Sequence, residues 1–159
     1  MYIKYFIKII IAFFGVFLGG CIVSYRYKME IKNIKRSMNK YNEMSYLANR
    51  WVYNLQHSKF IDSILKEKNI QTVAVYGLGF IGRNLYFELA DRGIDVKYII
   101  DQNKSRQIKG VRTYSLDDRL ESVDLIIVTV LNGFDEIEMA LKKKVSAKIV
   151  SIEEYIYRL

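Results

Sequence analysis

Three glycines and one acid have the residue types and spacing to hold a phosphorylated nucleotide. The apolar run Thr72-Val73-Ala74-Val75-Tyr76 leads into Gly77-Leu78-Gly79-Phe80-Ile81-Gly82, and a second run, Val96-Lys97-Tyr98-Ile99-Ile100, closes on Asp101. The chemistry this implies is anion cradling by backbone. Gly77 would allow a tight turn out of a strand, Gly79 the close approach of a pyrophosphate, and Gly82 the packing of the next helix on the sheet. With Leu78, Phe80 and Ile81 between them, the loop would place phosphates at a helix N-terminus, where unpaired N–H groups and the helix dipole favour anions. Asp101 lies 19 residues past Gly82, near the spacing at which a carboxylate accepts hydrogen bonds from a ribose 2′-hydroxyl. Its other reading is the cap of a turn. Aspartate at this place favours NAD, or another nucleotide with a free ribose, over NADP. Asn132, in Val130-Leu131-Asn132-Gly133, could bind ribose or phosphate, or cap the helix that starts at Phe134.

The elements that must position these residues alternate regularly. A helix with the apolar stripe Leu85, Leu89 and Ala90 would end near Arg92-Gly93, where glycine suits a C-cap. Gly110-Val111-Arg112-Thr113-Tyr114 reads as a short strand. Ser115-Leu116-Asp117-Asp118 has the spacing of a capping box that would open a short helix to about Glu121. Asp124-Leu125-Ile126-Ile127-Val128-Thr129-Val130 is an unbroken run suited to a strand buried on both faces of a parallel sheet. A helix over residues 134–143, a strand over 147–151 and a terminal helix from Ile152 complete the pattern. The expectation is a Rossmann-like α/β fold, a mostly parallel sheet with flanking helices over residues 71–159, preceded by a transmembrane helix (1–25) and a basic helical linker (26–70).

Charge is unevenly spread. Residues 1–40 carry eight Lys or Arg against one Glu, whereas residues 71–159 carry thirteen of each sign. The nucleotide-binding part is thus neutral, with no nucleic-acid footprint. One Cys and one His exclude an intramolecular disulfide and argue against a zinc-type metal site. His57 has no nucleophile or paired acid beside it in sequence, and reads as a solvated loop residue. No Tyr-x-x-x-Lys pair exists in the chain. Neither a catalytic residue nor a substrate domain is therefore assigned.

Residues Ile9 to Tyr25 form an uncharged run of seventeen, extended by Phe6 and Ile7 if Lys8 snorkels. That length is just enough to span a bilayer, so residues 6–25 are expected to anchor the chain in the membrane. Arg26, Lys28, Lys32, Lys35, Arg36 and Lys40 follow, against Lys4 and Lys8 before. The positive-inside rule then puts the C-terminal domain in the cytoplasm, with the single span in the inner membrane. An alternative is lipidation and cleavage at Leu18-Gly19-Gly20-Cys21, which resembles a lipobox, although the basic flank beyond Cys21 resists translocation.

Between the membrane and the first strand, Ile31, Ile34, Met38, Tyr41, Ser45, Ala48, Val52 and Leu55 alternate spacings of three and four. That is a heptad seam, and a homodimer through residues 31–55 is one reading of it. A second stripe, Met44, Leu47, Trp51 and Leu55, could instead lie against the globular domain. Ser58 reads as the N-cap of a short helix whose apolar face is Phe60, Ile61, Ile64 and Leu65.

The order of motifs, from Val73–Gly82 through Tyr98–Asp101 and Gly110–Asp118 to Asp124–Thr129, resembles the Rossmann-like domains of bacterial surface-polysaccharide (capsule) biosynthesis. Similar patterns occur in membrane-tethered nucleotide-sugar dehydratases, in the sugar-binding half of some hexapeptide acetyltransferases, and in accessory domains linked to glycosyltransferases. The resemblance covers about residues 60–155 and implies that Gly77, Gly79, Gly82 and Asp101 face NAD or a nucleotide-sugar. It implies an accessory or regulatory protein working beside a membrane-bound glycosyltransferase or other polysaccharide enzyme. A half-enzyme, an NAD-dependent sugar-nucleotide oxidoreductase completed by a partner, is the alternative, and a membrane scaffold that binds nothing is a third.

Overall fold

In the computed structural model the backbone is described for residues 2–159 and the side chains for residues 14, 15 and 17–159. The chain divides into two compact units, Met1–Asn42 and Glu43–Leu159. The first holds the N-terminal part of helix α1, Tyr2–Gln56, and the rest of that helix belongs to the second unit. Among the described residues no helix is long and apolar enough to cross a membrane. The expected anchor, residues 6–25, lies in part outside the described residues, because the side chains of 6–13 and 16 are not among them.

The second unit is an α/β sandwich. Its five strands are β1 (Thr72–Tyr76), β2 (Asp95–Ile100), β3 (Arg112–Tyr114), β4 (Leu125–Val128) and β5 (Lys148–Ser151). All pair in parallel, in the order β3-β2-β1-β4-β5. Helices α2 (Ile61–Glu67), α3 (Phe80–Asp91), α4 (Phe134–Lys142) and α5 (Ile152–Arg158) flank the sheet. The period of two within each strand explains the two cores. Val73, Val75, Ile99, Leu125 and Ile127 face one side, with Leu85 and Leu89 of α3 and Tyr155 and Ile156 of α5. Ala74, Tyr76, Tyr98, Ile126 and Val128 face the other, with Leu141 of α4.

The strand order follows from the crossovers. From β1 the chain moves outward one way through α3 to β2, and from β4 it moves the other way through α4 to β5. Right-handed crossovers of opposite direction put α3 and α4 on opposite faces, as the two cores require. At the base of the sheet Asp124 joins β1 to β4: its Oδ2 accepts Gln71 N–H, Thr72 N–H and the Thr72 hydroxyl at 3.0, 2.8 and 2.9 Å. Those bonds hold its carboxyl below the usual range, the Thr72 backbone bond contributing most.

Several local expectations need correction. The helix predicted from the Ser115–Asp118 spacing does not form; Asp118 Oδ2 accepts Ser115 N–H at 2.7 Å and closes a turn, because the bond of a capping box also satisfies a turn with no helix after it. Ser58 is not an N-cap. It takes a left-handed conformation, φ 55°, just past α1, and α2 starts at Ile61. The donor that a cap would satisfy, Ile61 N–H, is taken by Glu88 Oε1 of α3 at 2.8 Å. Ala90 is exposed, so the buried stripe of α3 is Ile81, Gly82, Leu85 and Leu89. In the second stripe of α1, Leu47 and Trp51 are buried and Met44 packs against them, but Asn54 holds the place given to Leu55. Asn54 Nδ2 donates to Ile156 O at 2.7 Å, which ties α1 to α5.

Candidate glycine-loop site

In a parallel sheet the place where neighbouring strands send their chains to opposite faces leaves a crevice at the strand C-termini. Here it lies between β1 and β4. The loops Gly77–Gly79 and Thr129–Gly133 border it, and Asp101 stands at the end of the neighbouring β2.

Each of the three loop glycines has a different reason to be glycine. Gly77 has φ +94°, and a Cβ there would meet Thr129 Oγ1 at 2.9 Å; both facts demand the absent side chain. A Cβ on Gly82 would lie 1.8 Å from the Gly77 carbonyl oxygen, so the turn is stacked directly on the first turn of α3. Gly79 differs from both. Its backbone is extended, φ −78°, and a Cβ would have nothing within 4 Å. Neither conformation nor packing inside the chain requires glycine at that position, and the cradle in front of it is open.

The loop is fixed from three sides. Gly77 N–H donates to Ile100 O at 2.7 Å. The Thr129 hydroxyl lies 3.0 Å from Tyr76 O and 2.8 Å from Gly77 O, and its single proton is shared between these carbonyls. Asp101 is 6% exposed. Its Oδ2 accepts Leu78 N–H at 2.6 Å, its Oδ1 accepts Asn103 N–H at 2.8 Å, and Arg106 Nη1 stands 3.6 Å from Oδ2. Asp101 thus makes the turn-capping bond to residue 103 and also reaches back to the glycine loop. Tyr76, beside it, has its phenol pushed above the ordinary value, first by burial and then by the Asp101 charge.

The two helix N-termini at the crevice are electrostatically unlike. The N-cap of α3 is Gly79, with no capping side chain, and its first turn contains no acid. Its first N–H groups therefore have no carboxylate or hydroxyl supplied by the helix itself. The N-cap of α4 is Gly133, φ 85°, and its first turn carries Asp135 and Glu136. Asn132 does not take the N-cap position; it is exposed in the loop before it. Leu78 and Ile81 are buried and pin the loop to the core, while Phe80 is 64% exposed.

A cleft of about 470 Å³ lies elsewhere, between the end of α1 and α3, and shares only Phe80 and Ile81 with the glycine loop. Glu88 lies in its wall and accepts Trp51 Nε1–H at 2.5 Å as well as Ile61 N–H. Burial raises the Glu88 carboxyl, against the lowering effect of those two bonds. His57 is exposed, its Nδ1 2.8 Å from Tyr53 O and its ring 4.1 Å from the Tyr53 ring, centroid to centroid. Among the described residues no group of three or more His, Cys, Asp or Glu could hold a metal ion.

Sequence reasoning passed over Thr129 and Glu88. A threonine directly after a buried strand at the crevice was a usable signal for the first. Nothing in the sequence marked Glu88, whose partners are 37 and 27 residues away. No protein-family model, curated protein or solved structure matches the chain.

Proposed function

We propose that this protein binds a nucleotide diphosphate, NAD or a nucleotide-sugar, at the glycine loop, and acts as an accessory or regulatory protein in cell-envelope polysaccharide biosynthesis. The open cradle at Gly79 carries the reading: no left-handed backbone and no neighbouring atom calls for glycine there, whereas a pyrophosphate lying against the backbone would need the space. The uncapped, acid-free N-terminus of α3 adds donors and favourable potential for the phosphates. Leu78, Phe80 and Ile81 would frame the diphosphate. Asp101 would take the ribose: a carboxylate has about four acceptor sites, and the bonds to Leu78 and Asn103 use two. Exposed Arg106 would swing away as the sugar entered. Asn132, on the opposite lip, would meet the distal half of the ligand.

The envelope setting rests on the motif resemblance and on the uncharged run Ile9–Tyr25 with the basic flank behind it. These support a chain anchored through residues 6–25 with its α/β unit in the cytoplasm, beside a membrane-bound glycosyltransferase or similar enzyme. Binding without turnover is the favoured mode, because the Thr129 hydroxyl at the crevice is engaged with backbone carbonyls. The test is equilibrium binding of NAD, NADP and nucleotide-sugars to the full chain in detergent, together with an assay for NADH formation. Saturable binding of one ligand class without turnover supports the reading. Turnover would move it to the half-enzyme, and no binding by any of them would sink it.

A further inference from the structure

The two apolar stripes of α1 turn out to serve different ends. Leu47, Trp51 and Asn54 are buried against the α/β unit, with Met44 partly covered. In the neighbouring stripe Ile34, Met38, Tyr41 and Val52 are 53, 58, 66 and 51% exposed, and Ile31 and Leu55 are exposed as well. The row is interrupted by Ser45 and Ala48 at its middle, and uncovered apolar side chains of this size on either side of them point to a partner. We propose that the partner is a second copy of this chain, paired in parallel along α1 from Ile31 to Leu55.

Three observations choose that occupant. The first is period. The row keeps spacings of three and four through residue 55, which places Ile31, Met38, Ser45 and Val52 at a and Ile34, Tyr41, Ala48 and Leu55 at d of a heptad. Ile31 and Val52 at a are β-branched, and Val52 followed by Leu55 at d is the combination that favours two parallel strands. The second is charge. Glu30 is the sole acid in the first forty residues and falls at g, while Lys35 falls at the following e. In a parallel pair the g residue of one helix meets that e residue of the other, so both Glu30–Lys35 contacts are attractive.

The third is continuity with the cleft. Ala48, Val52 and Leu55 form its α1 wall, and Phe80 and Phe87 of α3, 64 and 53% exposed, stand opposite. A two-fold axis along the seam would bring each copy's Val52 and Leu55 toward this trough of the other, a self-complementary contact. The trough shares Phe80 and Ile81 with the glycine loop, so the pairing would run beside both nucleotide sites of a dimer.

The experiment uses the full chain in detergent with the native cysteine removed (Cys21→Ser). Sedimentation velocity should give a protein mass of two chains. Copper-phenanthroline oxidation should cross-link Val52→Cys, where identical residues face each other across the axis, and leave Tyr46→Cys, one position further round the helix, uncross-linked. Glu30→Lys alone should weaken the dimer roughly tenfold, from two attractive contacts made repulsive, and Glu30→Lys with Lys35→Glu should restore it. A monomer at tens of micromolar overturns the proposal. So does equal cross-linking at 46 and 52, or a dimer that tolerates Val52→Asp while circular dichroism shows the chain folded.

Discussion

Asp101 and Leu78 are joined by a 2.6 Å hydrogen bond from the Leu78 N–H to Asp101 Oδ2, which fastens the end of β2 to the middle of the glycine loop. The acid expected to read a ribose therefore also shapes the loop that would hold the phosphates. Its removal cannot report on ligand contact alone.

Asp101→Asn is accordingly predicted to lower stability with no ligand present. Asparagine keeps one acceptor oxygen but turns an NH₂ toward either Leu78 N–H or Asn103 N–H, leaving a donor facing a donor. The expected loss is about 1–3 kcal/mol, read as a drop in denaturant midpoint at unchanged m-value. An unchanged midpoint would show that the latch is not needed for the fold.

Gly82→Ala should be among the most damaging single changes in the chain. Its methyl would have to occupy space 1.8 Å from a backbone oxygen that cannot swing aside. We expect about 3 kcal/mol or more, at or above the upper end of overpacking costs, measurable by urea unfolding; a loss under about 1 kcal/mol would contradict the packing described.

Glu88→Ala removes the acceptor of both Trp51 Nε1–H and Ile61 N–H, groups that tie α1 and α2 to α3. Each donor left unsatisfied costs about 1–3 kcal/mol. Part of this is offset, because burial already disfavours the charged form of Glu88. Tryptophan emission should shift to the red as Trp51 loosens. An unaltered spectrum and melting temperature would argue against the bridge.

The Asp124 carboxyl gives a pH signature. Its folded value is depressed by bonds from Thr72 and Gln71, so its contribution is present above the unfolded carboxylate value of about 3.9 and lost as pH falls through the lower folded one. Asp124→Asn should therefore melt earlier than wild type at pH 7, with the gap narrowing below about pH 4. A gap independent of pH would rule out the ionised carboxylate as the cause.

Much of the α/β unit was legible because its signals are local. The unbroken apolar runs Val73–Tyr76 and Leu125–Val128, the glycine turn, and Gly93 at φ +75° past α3 each depend on a few adjacent residues. What escaped depends on distant chain. Ser58 looked like a cap because its residue type suits one, but Glu88 supplies that function from another helix. Ser115–Asp118 has the right bond and the wrong continuation, since the residues after it add no helical turn. At the candidate site the glycines could be placed from sequence, whereas the reach of Asp101 to Leu78 and of Thr129 to the Gly77 carbonyl needed the register of the sheet.

The most direct measurement compares wild type with Gly79→Ala, in stability without ligand and in affinity for the nucleotide that binds. The account predicts a change in stability within about 1 kcal/mol, because the backbone is extended and the space open, and the gain from a stiffer unfolded chain is set against the weaker N-cap that alanine makes for α3. Affinity should fall at least tenfold, about 1.4 kcal/mol, so the roughly 2.7 kcal/mol of stabilisation expected at 100 times the dissociation constant would shrink accordingly. Equal affinity in the two proteins would contradict it: the cradle at Gly79 would then not be where the diphosphate lies.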